Sequence, residues 1–316
     1  MNKKCQVFTP ENYVRELLDS VGYTEHLYGR KILENSCGDG NILVAVVQRY
    51  IDDCVANGLS RARIKNGLAR DIYGVEIDPE QFQKCIENLN KVLEKNNINK
   101  VEWKIFNDDY LRWNDVLQFQ FIVGNPPYIT YSELAKDEQK YVKKNFNTCV
   151  KGKFDYCYAF IEKSIKALAQ DGKMAYLIPS SIFKTVFGLN LRNFMKPYIT
   201  VIKDYTQEKV FDNALVKSSI MVLDKQRQQG VLHYRDMTLE KEINIPVDWE
   251  NQDLTLRVGQ VDDNDFTYFN GVEVGHTEGW LSPRSYTIPK ELVKRGKAVI
   301  SVRVIDTGGT GGIYGP

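Results

Sequence analysis

The strongest constraint on this chain is a repeated pattern of apolar runs that each end in a loop of small, acidic or proline residues. Lys31-Ile-Leu-Glu34 runs into Asn35-Ser-Cys-Gly-Asp-Gly40, and an apolar helix is expected from Asn41 to about Val55. Asp71-Ile-Tyr-Gly-Val-Glu-Ile77 runs into Asp78-Pro79, which opens a helix to about Lys95. Val101–Phe106 precedes Asp108-Asp109-Tyr110, and Phe119–Gly124 ends at Asn125-Pro126-Pro127-Tyr128. A helix near Tyr156–Ala169, a strand Lys173–Ile178, a short helix near Leu189–Met195 and strands near 201–206 and 218–223 complete the series. Alternation of this kind is the pattern of an α/β protein with a mainly parallel sheet. Ligands in such sheets bind at the carboxyl ends of the strands, so the loops above are expected to converge.

Composition narrows the class further. With 316 residues, about two domains are expected, and 43% hydrophobic with 11% aromatic residues excludes disorder as the main state. Net charge is only +1, and it is uneven. Residues 1–224 hold 31 bases and 28 acids (31 − 28 = +3), and residues 225–316 hold 11 and 13 (11 − 13 = −2). A surface for nucleic acid must therefore be local. Apolar runs such as Ile42–Val47 are too short to span a bilayer, and the N-terminus lacks the apolar segment of a secretory signal. Six cysteines at irregular spacings, with no CxxC pair, point to reduced thiols, no metal site and a cytoplasmic protein. The texture changes at Gln226–Gly230, which reads as a linker between a domain at 1–225 and a second region at 226–316. Residues 306–316 are glycine-rich and offer no packed closing element.

Four loops carry recognisable chemistry. Gly38-x-Gly40 between strand and helix permits a tight turn and a close approach to a ligand. The third glycine of a dinucleotide fingerprint is absent, so phosphate cradling is not supported. Glu76, at the end of the second strand, suits both hydroxyls of a ribose; alternatively it caps the next helix, as Asp78 before Pro79 is expected to do. Asp109 with Tyr110 suits an exocyclic amine and a purine face. The fourth loop, Asn125-Pro-Pro-Tyr128, is the sharpest feature. Two prolines freeze the backbone and remove two amide donors, leaving the Asn125 side-chain oxygen and the Pro126 carbonyl as acceptors. That pair suits a planar NH₂ group, over which Tyr128 offers a stacking face; the plainer alternative is a proline-rich turn with a packed tyrosine.

Taken together, Cys37-Gly-Asp-Gly40, Val75-Glu-Ile-Asp-Pro79, Asp109 and Asn125-Pro-Pro-Tyr128 resemble the S-adenosylmethionine-dependent N6-adenine DNA methyltransferases of restriction–modification systems. Phe8-Thr9-Pro10 is similar to the segment that covers the methionine end of the cofactor, although Thr9-Pro10 also makes a good helix start. Gly152–Asp155 through Ala159-Phe160 resembles the motif after the catalytic tetrapeptide. Phe211, ahead of Lys217-Ser-Ser-Ile220, is similar to the aromatic beside the flipped base, or is core. Asn35-Ser36 departs from the family's more common Pro-Ala.

The resemblance spans roughly residues 6–224 and implies a Rossmann-like class I methyltransferase fold with a mostly parallel, seven-stranded sheet. It implies that S-adenosyl-L-methionine is held by Thr9, Glu34, Gly38, Gly40, Glu76, Ile77, Asp109, Tyr110, Asn125 and Phe160. Asn125, Pro126, Tyr128 and Phe211 then act on a flipped-out adenine in double-stranded DNA, without metal. Lys140, Lys143, Lys144, Lys151 and Lys153, with no acid between Gln139 and Phe154, would hold phosphates or form a solvated face. A monomer, working beside a separate restriction endonuclease, is the expected setting. Residues 226–316 read as the start of a truncated target recognition domain, and the seven residues before Phe8 leave no room for a nuclease. Rival readings are a methyltransferase acting on RNA or protein glutamine through the same tetrapeptide, and a DNA-binding module without turnover.

Overall fold

Strands that are apolar on both faces need helices on both faces, and the sequence supplies them in order. The computed structural model describes residues 9–114, 117–206, 210–211, 217–226, 233–236, 243–261, 264–279, 282–305 and 313–314. The chain divides into two compact units, Met1–Met237 and Thr238–Pro316.

In the first unit α1 (Glu11–Ser20) precedes β1 (Ile32–Glu34), α2 (Asn41–Ala56), α3 (Arg61–Asp71), β2 (Ile72–Glu76), α4 (Pro79–Lys95), β3 (Lys104–Asn107) and β4 (Phe119–Gly124). Then come α5 (Lys136–Asn145), α6 (Cys157–Ala167), β5 (Leu168–Pro179), α7 (Leu189–Met195), β6 (Ile199–Asp204), β7 (Ser218–Asp224) and β8 (His233–Asp236). One sheet forms in the order β3-β2-β1-β4-β5-β7-β6-β8. It is parallel from β3 to β5, and β7 runs antiparallel between β5 and β6. This is the class I methyltransferase fold, with one strand more than the seven expected: β8 pairs parallel with β6 and extends the unit past residue 225.

Period-two alternation distributes the strand side chains between two cores. Ile32, Ile72, Phe121, Val123, Ala175 and Leu177 pack with α1–α4, and Leu33, Tyr73, Ile122, Met174, Tyr176 and Met221 pack with α5–α7. Helix α3 was not anticipated from the sequence, because only Ile64, Gly67, Leu68 and Asp71 of its eleven residues are buried. It docks closely through Gly67, where a Cβ would sit 2.2 Å from the Tyr50 hydroxyl. β5 is also longer than expected, and β3 begins three residues later than the apolar run.

The second unit is built of short strands, β9 (Ile243–Ile245) through β16 (Ile313–Tyr314), in antiparallel pairs. Its small core holds Ile245, Phe269, Ile288, Val293 and Ala298. Beside it, the fully buried Arg284 is paired with Asp265 at 2.8 Å, and Tyr286 donates to the same carboxylate. Five described cysteines are buried free thiols, and Cys5 lies outside the described residues. No helix among the described residues is long and apolar enough to cross a membrane.

Candidate active site

The carboxyl ends of β1, β2, β3 and β4 meet around a cavity of about 450 Å³, closed by Thr9 and by Tyr156 and Phe160 near the start of α6. Thr9, Glu34, Gly38, Glu76, Ile77, Asp109, Tyr110, Asn125, Pro126, Tyr128 and Phe160 all line it. Asn35, Ser36, Cys37, Asp39 and Gln81 join them.

The loop after β1 is held from both sides. The Cys37 N–H donates to Val75 O at 3.1 Å, and Gly40 N–H closes the turn onto Cys37 O at 2.8 Å. Gly38 and Gly40 both have positive φ, +53° and +86°. Gly40 does not face the cavity. It starts α2 in the left-handed region, and a Cβ there would lie 2.7 Å from Cys85 Sγ on α4. Its role in this structure is to let α4 approach the loop.

Glu76 does not cap α4. Asp78 does, accepting from the N–H of Glu80 and of Gln81 at 2.9 and 3.2 Å. Glu76 instead accepts from Gly38 N–H at 2.8 Å and from Asp78 N–H at 2.9 Å, tying the first loop to the second. Burial raises its pKa, and these two donors oppose the rise. Neighbouring Glu34 is 2% exposed, and its Oε2 has no hydrogen-bond partner. Burial, with Cys85 and Glu76 nearby, pushes its carboxyl well above the ordinary range.

Asp109 is fixed by Leu111 N–H at 2.9 Å and by the Arg112 guanidinium. Arg112 also pairs with Glu138 at 2.5 Å and lies 3.9 Å over the Tyr141 ring, and Tyr156 donates to Glu138 at 2.9 Å. Lys163 reaches the carbonyls of Tyr110 and Trp113 from below. Burial lowers its pKa to about 8, against the pull of Asp109 and Asp108. Tyr110, Ser164, Tyr176 and Asn35 form one buried network, with Tyr110 to Ser164 at 2.8 Å and Ser164 to Tyr176 at 2.7 Å. The Asn35 Oδ1 is buried without a partner, a second acceptor beside Glu34. The sequence reading passed over Arg112, Lys163, Ser164 and Tyr176. A lone Arg, Lys or Ser on a helix or loop carries no spacing signal, and only the tertiary fold brings these four together.

The Asn125 amide is oriented by its Nδ2, which donates to Thr9 Oγ1 at 3.3 Å, while the Asn125 carbonyl accepts from Ser36 Oγ at 3.2 Å. Thr9 makes no helix cap; Pro10 starts α1 without a side-chain bond, and the Thr9 hydroxyl faces Asn125. Tyr128 is half-buried and anchored by its hydroxyl to Leu177 O at 2.9 Å. Phe8 lies outside the described residues.

Phe211 differs from the expectation of a base contact. It is 1% exposed, belongs to the core and does not line the cavity. Its ring lies 6.5 Å from that of Tyr128, where it backs the tyrosine. Phe160 is core with one face on the cavity, tilted against Tyr110 at 5.4 Å. Among the lysines, Lys140 and Lys143 border a separate depression with Tyr131, Lys136 and Gln139, and Lys143 donates to the Tyr131 hydroxyl at 3.1 Å. Lys144, Lys151 and Lys153 are exposed. Among the described residues, no cluster of three His, Cys, Asp or Glu could hold a metal ion.

Comparison with known proteins bears on the same elements. The chain is 32% identical over 223 residues to the Type II methyltransferase M.BstVI of Geobacillus stearothermophilus, covering 66% of this chain and 39% of that protein. It is 29% identical over 245 residues to Modification methylase CviBIII of Paramecium bursaria Chlorella virus NC1A, covering 77% and 55%. This chain thus spans roughly 39–55% of the length of these two relatives. Among solved structures, a putative class I S-adenosylmethionine-dependent methyltransferase from Listeria monocytogenes superposes with TM-score 0.54 at 19% identity, covering 74% of this chain and 67% of that one. A nuclease-deletion mutant of the Type ISP restriction-modification enzyme LlaGI, in complex with a DNA substrate mimic, gives TM-score 0.61 at 15% identity, covering 73% and 24%. Residues 54–211, half of the chain, match the family described as Eco57I restriction-modification methylase, from the second half of α2 to Phe211. The chain belongs to the Eco57I restriction-modification methylase family.

Proposed function

We propose that this chain transfers a methyl group from S-adenosyl-L-methionine to N6 of an adenine rotated out of double-stranded DNA. The observation that carries this reading is the convergence of Glu34, Glu76, Asp109 and Asn125-Pro-Pro-Tyr128 on one cavity. The residues fit the cofactor. Glu76 offers carboxylate oxygens to the ribose hydroxyls, and Asp109 offers them to the adenine amine. The walls of Ile77, Tyr110 and Phe160 suit a purine. The two unpartnered acceptors, Glu34 Oε2 and Asn35 Oδ1, suit the ammonium of the methionine end. When bound, the cofactor supplies an electrophilic methyl.

The chain's own residues prepare the amine that receives it. With its Nδ2 turned to Thr9, the Asn125 amide presents Oδ1 as an acceptor. Asn125 Oδ1 and the Pro126 carbonyl take the two amine hydrogens, which directs the nitrogen lone pair towards the methyl. Tyr128, braced by Leu177 O and Phe211, replaces the stacking that the base loses on leaving the duplex, about 1–3 kcal/mol per base. The unit Met1–Met237 carries the catalytic cavity, and the unit Thr238–Pro316 is suited to reading the target sequence. A cytoplasmic enzyme beside a separate endonuclease fits this role. The test is transfer of labelled methyl to unmethylated plasmid DNA by the wild type and by Asn125→Ala. The variant is expected to bind cofactor and transfer nothing; an active variant overturns the mechanism.

A further inference from the structure

The segment after β5 displays large apolar side chains that the cavity does not use. Val186 is 82% exposed, Phe187 48% and Leu189 54%, and Val150 opposite them is 50% exposed. Phe187 joins the two segments, because a Cβ on Gly152 would lie 2.2 Å from its Cδ1, so the ring rests on the bare backbone of the 150–153 segment. The base of the segment is fastened. Arg192 donates to Ile182 O at 2.9 Å and to Thr185 O at 2.7 Å, Gly188 N–H bonds Thr185 O at 3.0 Å, and Tyr158 meets the Thr185 hydroxyl at 3.2 Å. A firmly held turn thus presents an apolar tip.

Its place in the fold links it to the site. β5 lies beside β4, with Tyr176 opposite Gly124, so the turn leaves the same sheet edge as Asn125–Tyr128. Its surroundings are cationic. No acid occurs in residues 139–154 or 172–203, and Lys151, Lys153 and Lys184 are exposed around the patch. An apolar tip carried by segments whose exposed charges are lysines is complementary to a duplex, which has an apolar base stack between two rows of phosphates.

We infer that Val186 and Phe187 form a wedge that enters the base stack of duplex DNA next to the adenine being extruded, with Lys151, Lys153 and Lys184 on the flanking phosphates. The inference rests on the reading of the cavity as a DNA methyltransferase site. An inserted apolar side chain holds open the gap left by the departing base, so its contribution is confined to paired substrates.

The test uses the full chain and two duplexes carrying the site that the wild type methylates, mapped beforehand on plasmid DNA. One duplex is fully paired; in the other an abasic position faces the target adenine. Val186→Ala with Phe187→Ala is expected to lower transfer to the paired duplex about ten-fold and to leave the abasic-opposed duplex near the wild-type rate. Phe187→Leu keeps an apolar tip and is expected to stay within about two-fold on both. Cofactor affinity, measured by calorimetry, is expected to be unchanged in every variant, which also reports that the fold is intact. Equal loss on both duplexes, or no loss on either, overturns the wedge. A change in sedimentation of the free protein with both rates intact would assign the patch to contact between copies of this chain, again overturning it. If the wild type methylates no DNA, the reading of the cavity fails and the wedge with it.

Discussion

Replacing Gly40 by alanine isolates the close approach of α4 to the first loop. Two independent penalties follow from the geometry. The residue sits at φ +86°, a left-handed conformation that costs a side-chain-bearing residue about 1 kcal/mol. The added Cβ would also meet Cys85 Sγ at 2.7 Å and Cys85 Cα at 3.3 Å, and Cys85 is fully buried. Overpacking of that kind costs about 1–3 kcal/mol. The sum is about 2–4 kcal/mol, which for a unit of this size lowers the melting temperature by about 4–16 °C. Thermal denaturation of Gly40→Ala, Cys85→Ala and the double variant separates the two terms. Removing Cys85 Sγ relieves the steric part and leaves the backbone part, so the double variant should recover about 1–2 kcal/mol relative to additivity. If Gly40→Ala loses as much stability with Cys85→Ala as without it, the contact between α4 and the loop is not what requires glycine.

Other outcomes follow from the same geometry. Burial holds the Glu34 carboxyl above its ordinary value, so wild-type stability from this group is lost as pH rises from the ordinary carboxylate range towards the raised value. Glu34→Gln should therefore melt higher than wild type at about pH 8 and nearly equal to it at about pH 4, while binding the cofactor more weakly; equal melting at both pH values contradicts the burial argument. Arg112→Met removes a half-exposed partner of Asp109 and Glu138, worth at most about 1 kcal/mol after screening, so calorimetry should show cofactor affinity reduced by up to about five-fold and partly restored by Arg112→Lys. Tyr128→Ala should slow transfer about ten- to hundred-fold, and Tyr128→Phe less, because the ring survives and the hydroxyl with its bond to Leu177 O is lost; a larger effect of Tyr128→Phe in steady-state kinetics would place the chemistry on the hydroxyl.

The sequence was most legible where local chemistry and topology coincide. Loops that end parallel strands must share an edge, so Gly38, Glu76, Asp109 and Asn125 could be placed together from strand order alone, and the structure brings them to one cavity. The edge strand β8 and helix α3 were not legible, because a four-residue strand and a largely polar helix leave little periodic signal. The residues that hold the site in shape were also hidden. Arg112, beside Asp109, pairs with Glu138 across 26 residues, and Asn35 meets Ser164 across 129. Such partners are chosen by the packed fold and carry no motif. Phe211 shows the converse: its motif was visible, but its depth depends on how the segment packs behind Tyr128.

In the proposed reaction the nitrogen held by Asn125 and Pro126 is the N6 of adenine. That assignment is tested most directly by incubating unmethylated DNA with the chain and labelled S-adenosylmethionine, digesting the DNA to nucleosides and identifying the labelled species by mass spectrometry. N6-methyladenine is expected in the wild-type reaction and none with Asn125→Ala. N4-methylcytosine, or label recovered in protein glutamine, would contradict the assignment.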